Sequence, residues 1–155
     1  MDESSVIRAL RDDERAWANA RYRAIQFAPS PPDAVALVAE LGGARVGLGR
    51  LVAHAPEVVE LGGIWTDEAV RGRGVARAMV AALLARAGRG DGTAPRSAGD
   101  APLERPLWCI PFAHLTGFYQ SFGFATRAAP WPAPIAAKVA ECVAHGLPPV
   151  VVLLR

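Results

Sequence analysis

Lysine is nearly missing from this sequence: 16 of its 17 basic residues are arginine, and Lys138 is the exception. Cysteine is scarce as well, with Cys109 and Cys142 alone, too few for a disulfide scaffold. Long apolar runs are absent. The longest, Ala78 to Ala85, has about eight residues, whereas roughly 20 are needed to span a bilayer. The N-terminus, Met1-Asp2-Glu3-Ser4-Ser5, carries acids and no apolar core, so no secretion signal is read, a cytoplasmic protein is expected, and both cysteines should be free thiols. Excess charge of one sign is missing too. The formal net charge is +2 and the arginines are dispersed, which argues against a nucleic-acid footprint. Cys142 and His145 lie three apart with no further pair of ligands at metal spacing, and no Gly-x-Ser-x-Gly is present, so neither a metal site nor serine hydrolase chemistry is expected.

What is present is a globular composition: 155 residues, 52% apolar and 21% charged, with alanine at 31 positions. A chain of this length can bury roughly 68–70% of its unfolded surface around one core, so 1–155 is read as a single domain. Val6 to Leu10 reads as a strand, and Asp12 or Asp13 as the cap of a helix reaching about Phe27 and ended by the proline-rich Ala28 to Pro32. Ala34 to Leu41 and Val46 to Ala53, joined through Gly42 and Gly43, read as a hairpin, and Val58 to Trp65 as a further strand. Val75, Met79, Val80, Leu83 and Leu84 share one face of a helix that Gly88 should stop. Residues 88–106 are read as a long mobile loop. A short strand from Leu107, a helix carrying Leu115, Phe118, Tyr119 and Phe122, a strand from Phe124 to Ala128, a helix from Ile135 to His145 and a strand from Val150 to Leu154 complete the order β α β β β α β α β α β. That order predicts an α/β or α+β domain with a mixed sheet.

The most informative stretch is Arg71-Gly72-Arg73-Gly74-Val75-Ala76, which follows a strand and opens a helix. Glycines let the backbone approach a ligand closely, and a helix start favours an anion, so the stretch suits a phosphate seat. A Rossmann fingerprint would need glycine where Arg77 stands, and the Walker lysine is absent. The segment resembles instead the acyl-CoA signature of the GNAT N-acetyltransferases, Arg/Gln-x-x-Gly-x-Gly/Ala. A second family pattern follows at the right distance as Phe118-Tyr119-Gln120-Ser121-Phe122-Gly123-Phe124. The resemblance covers about residues 46–127. It implies a mostly antiparallel sheet flanked by helices and direct acetyl transfer from acetyl-CoA to a primary amine in a ternary complex. By the same resemblance, Arg71, Gly72, Arg73, Gly74, Val75 and Ala76 hold the pyrophosphate, Ile64, Trp65 and Thr66 the acyl group and pantetheine arm, and Tyr119 is the general acid.

Each chemical role has a plain structural alternative. Tyr119 lies on an apolar stripe and would otherwise be a core tyrosine. Glu60 precedes the acyl-binding end of its strand and shares a face with Gly62 and Ile64 by alternation, which makes it the candidate base and leaves room for an acceptor at Gly62; otherwise it is a solvated carboxylate. His54 and His114 are weaker candidates as bases, and Cys109 reads as a small core residue. Residues 130–149 interrupt the family's last hairpin, and Trp131 there would wall the acceptor site, cap the sheet or make a homodimer contact. The acceptor is expected to be a small-molecule amine. A non-catalytic acyl-CoA-binding module and a protein Nα-acetyltransferase are the alternatives.

Overall fold

In the computed structural model, residues 4–88 and 106–155 are described; most of the loop expected at 88–106 lies outside them. The strands are β1 (Val6–Ala9), β2 (Val35–Leu41), β3 (Ala44–Ala55), β4 (Val58–Thr66), β5 (Leu107–Cys109), β6 (Ala125–Thr126) and β7 (Leu153–Leu154). The helices are α1 (Arg15–Ala24), α2 (Val75–Gly88), α3 (Thr116–Gln120) and α4 (Ala133–Ala144). The strands form one sheet in the order β1-β2-β3-β4-β5-β7-β6, mostly antiparallel, with β4 and β5 parallel at Val59↔Leu107 and Glu60↔Trp108. The described residues of Met1–Val52 and Gly63–Leu103 make one compact unit, and those of Ala53–Gly62 and Glu104–Arg155 another.

In the first unit, β2 and β3 turn through Gly42 and Gly43 at φ +58° and +79°, the left-handed backbone that glycine adopts without a Cβ clash. Ala18 and Tyr22 of α1 pack on Val38 and Leu48, with Leu10, Trp17, Phe27 and Trp65 around them. Gly47 and Gly49 lie bare beneath α2. A Cβ at Gly49 would stand 2.6 Å from Met79 Cγ, and one at Gly47 2.8 Å from Val75 Cγ1, so glycine sets how closely the helix approaches the sheet. Burial of Val75, Met79, Val80 and Leu83 follows, while Leu84 is only half-buried.

Helix α1 departs from expectation at both ends. Neither Asp12 nor Asp13 caps it; Asp12 pairs with Arg15 at 3.2 Å, and Glu14 accepts the Arg11 amide at 3.0 Å. The helix stops at Ala24, before the prolines, because Gln26 turns left-handed at φ +62° and the amides of Gln26 and Phe27 close back on Arg23 and Tyr22.

The second unit holds β5 to β7 and α4, with Val58, Trp108, Ile135 and Val152 as its apolar centre. Helix α4 ends in the same way, with Gly146 at φ +67° and the amides of Gly146 and Leu147 bonded to the carbonyls of Val143 and Cys142. The expected strands at Phe124 to Ala128 and Val150 to Leu154 shrink to two paired residues each, preceded by an isolated bridge between Phe112 and Val150. Strand β6 pairs β7 antiparallel across the inserted α4.

Glu14 is a buried anion. Arg8 grips it with two nitrogens at 2.7 and 2.9 Å, Arg45 adds a third contact at 3.3 Å, and Arg8 also reaches Glu40. The Arg8 hydrogen bonds outweigh burial and, with the Arg11 amide, hold the Glu14 carboxyl at about 2 instead of 4.5. A carboxyl depressed in the folded state stabilises the fold fully above its unfolded value, and that contribution fades as pH falls through the folded one. Urea unfolding should therefore show stability falling from about pH 4.5 toward pH 2. Glu14→Gln should flatten that slope and cost on the order of 2 kcal/mol at neutral pH, since both arginines that hold it keep access to water. An unchanged acid slope in the variant would exclude Glu14 as its source.

Candidate active site

The end of β4 and the turn after it are built within the first unit. Asp67 anchors the turn, its amide bonded to the Val46 carbonyl at 2.8 Å and its carboxylate accepting the Ala69 amide at 2.9 Å. Arg71 to Gly74 are exposed, Gly72 and Gly74 lie at φ +83° and +82°, and a Cβ at either would meet nothing within 4 Å. Glycine is therefore required here by the backbone and not by crowding from the described residues. The bond from the Ala78 amide to the Gly74 carbonyl opens α2, so the preceding amides are those a helix leaves without an intrahelical partner. No acidic residue occupies the first turn of α2, and Val75 is buried beneath it. The arrangement suits an anion.

Ile64, Trp65 and Thr66 are half-buried. Trp65 packs on the α1 cluster, its ring edge-on to Trp17 with centroids 6.0 Å apart. Gly63, one residue earlier, is left-handed at φ +61°, as at the glycine of a β-bulge. Its carbonyl accepts the Tyr22 hydroxyl at 2.8 Å. Burial, opposed in part by the charge of Arg50, pushes that hydroxyl up to about 12, so it stays a donor at working pH. The irregular residue also breaks the pleat, so the alternation expected to carry Ile64 onto the face of Glu60 and Gly62 does not run through it.

Glu60 lies in the second unit and is not a solvated carboxylate. Its side chain is 3% exposed, with His54 Nε2 at 2.8 Å on one oxygen and the Lys138 ammonium on the other. The room expected at Gly62 is filled by this carboxylate, whose Oε2 would stand 3.2 Å from a Cβ there. Burial raises the Glu60 carboxyl, but the His54 hydrogen bond and then the charge and hydrogen bond of Lys138 prevail and hold it below the usual range. Glu60 is an anion with two donors.

Cys109 is buried nearby, and burial together with the Glu60 charge pushes its thiol well above the ordinary range, as befits an inert core residue. Tyr119 is buried, edge-on to Phe118 and Phe124, and burial followed by Cys109 raises its hydroxyl far above neutral. It is therefore protonated and able to donate. His114 is exposed and stacked on Phe112. Trp131 donates to the Arg127 carbonyl at 2.8 Å and packs on the Ile135 cluster, which fixes α4 and with it Lys138.

Two residues escaped the sequence reading. Lys138 carried a signal, being the one lysine of the chain, on a helix whose neighbouring positions Ile135 and Val139 are apolar. Arg50 carried another, as a charge within the apolar strand Leu48 to Val52, and it proves 5% exposed. Among the described residues, no group of three or more His, Cys, Asp or Glu side chains is placed to hold a metal ion. Nor is any helix among them long and apolar enough to cross a membrane.

Comparison with known proteins agrees with this geometry. The curated proteins contain no match. Among solved structures, Escherichia coli ElaA aligns over 99% of both chains at 18% identity with a TM-score of 0.62. An acyl-CoA N-acyltransferase from Pseudomonas aeruginosa aligns over 99% of both at 17% identity and 0.66. The N-acetylglutamate synthase of Neisseria gonorrhoeae, complexed with coenzyme A and N-acetyl-glutamate, aligns over 100% of this chain and 35% of its own at 14% identity and 0.68. At such identities these likenesses establish the fold. The profile of the acetyltransferase (GNAT) domain matches residues 32–126, more than half of the sequence and including the glycine turn and Tyr119. The chain belongs to the GNAT acetyltransferase family.

Proposed function

We propose that the chain is an N-acetyltransferase that uses acetyl-CoA as cosubstrate and a primary amine of a small molecule as acceptor, by direct transfer in a ternary complex. The observation that carries this reading is the turn Arg71 to Ala76, with two left-handed glycines, exposed residues from Arg71 to Gly74 and an acid-free helix start. Amides of Gly72 to Ala76 receive the pyrophosphate, and Arg71 and Arg73 add positive charge at the rim. Backbone groups of Ile64, Trp65 and Thr66 hold the acyl and pantetheine portion as an added strand would be held. An amide of that segment steadies the thioester oxygen as it gains negative charge.

The proton traffic falls to the second unit. Glu60, expected as base, keeps its negative charge and holds the His54 ring, and the imidazole takes the proton of the acceptor ammonium. The freed amine attacks the thioester carbonyl and a C–N bond forms; as the C–S bond breaks, the departing thiolate takes the Tyr119 proton, and the proton shed by the new amide nitrogen restores the Tyr119 hydroxyl. A module that binds acyl-CoA without turnover is the second reading. The double engagement of Glu60 favours it, since Lys138 and His54 both oppose protonation of that carboxylate. Thiol release with a panel of amines separates the two, because the module binds the cosubstrate and releases nothing.

Replacing Gly74 by valine forces a β-branched residue into a left-handed backbone and puts its methyls where the anion sits. Calorimetry on folded Gly74→Val should show acetyl-CoA binding weakened at least about tenfold, an effect of about 1.4 kcal/mol. Wild-type affinity would remove the turn from the site.

Tyr119→Phe keeps the ring packing and deletes one hydroxyl. Turnover should fall by about 10² to 10⁴-fold, the usual worth of general acid help, with acetyl-CoA affinity unchanged. Turnover equal to wild type across pH would make Tyr119 a core residue and nothing more.

A further inference from the structure

Arg50 is buried, and none of the described carboxylates pairs with it. Its side chain sits in the first unit at 5% exposure, and among the described residues no carboxylate lies within ion-pair distance of it. Nη1 donates to the Ala28 carbonyl and to Ser30 Oγ, both at 2.9 Å, which ties the segment between α1 and β2 to β3. The Tyr22 ring lies 4.3 Å from the guanidinium carbon and compensates the charge in part. These contacts account for one nitrogen and one face of the group. The Nε and Nη2 edge has no hydrogen-bond partner among the described residues. That edge presents two parallel N–H donors, the geometry that receives both oxygens of a carboxylate.

Its position is specific. A Cβ at Gly63 would stand 2.9 Å from Arg50 Nε and 3.0 Å from Cγ, so the side chain lies directly against the irregular residue of β4. Ile64, Trp65 and Thr66 follow at once in sequence. The Ala28 and Ser30 contacts engage Nη1 alone and place Nε beside the strand that carries Ile64 to Thr66.

Resting on the acetyltransferase reading above, we propose that Arg50 is the specificity-determining residue for the acceptor. It binds a carboxylate, so the substrate is an amine that also carries a carboxylate, of the amino-acid class. Arginine suits this task because its charge persists at every working pH and its fork fixes the orientation of the bound group. Orientation matters because attack by the amine requires it to be held in line with the thioester.

The test uses matched pairs that differ only in charge: glycine and glycinamide, L-glutamate and L-glutamine, L-alanine and L-alaninamide. Thiol release should show KM at least about tenfold lower for the member with the extra carboxylate in at least one pair. Arg50→Gln should raise that KM by about 10 to 100-fold while leaving the uncharged member and acetyl-CoA affinity nearly unchanged, and Arg50→Lys should recover only part. Equal affinity for charged and uncharged members of all pairs in the wild type, or an equal effect of Arg50→Gln on both, overturns the proposal. The wild-type comparison stands even if the variants do not fold. Calorimetry of the same pairs with the CoA-loaded wild-type protein separates the two levels of inference. Selective binding of a carboxylated amine without thiol release supports Arg50 and rejects transfer; turnover of uncharged amines alone keeps transfer and rejects Arg50.

Discussion

The hydrogen bond from Tyr22 to the Gly63 carbonyl ties a helix in the core to the one residue of β4 whose backbone is left-handed. Burial keeps the phenol a donor, and the ring that carries it also faces the Arg50 guanidinium. Glycine at 63 is needed twice over, for the positive φ and because a Cβ would collide with both the Tyr22 oxygen, at 2.8 Å, and the arginine. Core packing of α1 and the irregular course of β4 are thus one constraint. The segment Ile64 to Thr66 takes its direction from it.

Among the described residues, three charged side chains are buried, and each is compensated differently. Glu14 is held by two arginines and an amide, a network that fastens β1 and the hairpin to the start of α1. Glu60 has the His54 imidazole on one oxygen and the Lys138 ammonium on the other, both half-buried. Arg50 has, among the described residues, dipoles and an aromatic face only. Burial of an ion without a partner is costly, so the three form a series from structural cement to a group held ready.

Much of this was legible in the sequence. Element order, the hairpin through Gly42 and Gly43, and the two-glycine turn before α2 follow from local rules: alternation, helical spacing and the left-handed backbone. Local rules also explain the misses. Gln26 ends α1 in a conformation that sequence statistics assign to glycine, and Glu14 displaces Asp12 and Asp13 because Arg8, on β1, makes burial of that carboxylate favourable. The candidate site divides in the same way. The turn at Arg71 to Ala76 is contiguous in sequence, whereas the pairing of Glu60 with Lys138, 78 positions away, depends on where the inserted helix α4 docks. Gly62 looked like vacant space, since the sequence cannot say that the carboxylate of Glu60 turns over it.

The scarcity of lysine has a chemical consequence for a protein that handles a reactive thioester. Thioesters acylate neutral amines, and a guanidinium offers no comparable nucleophile. Sixteen arginines therefore supply positive charge to the chain without exposing it to acylation, and the single lysine side chain, that of Lys138, is engaged by the Glu60 carboxylate. A fold so composed resists modification by its own cosubstrate.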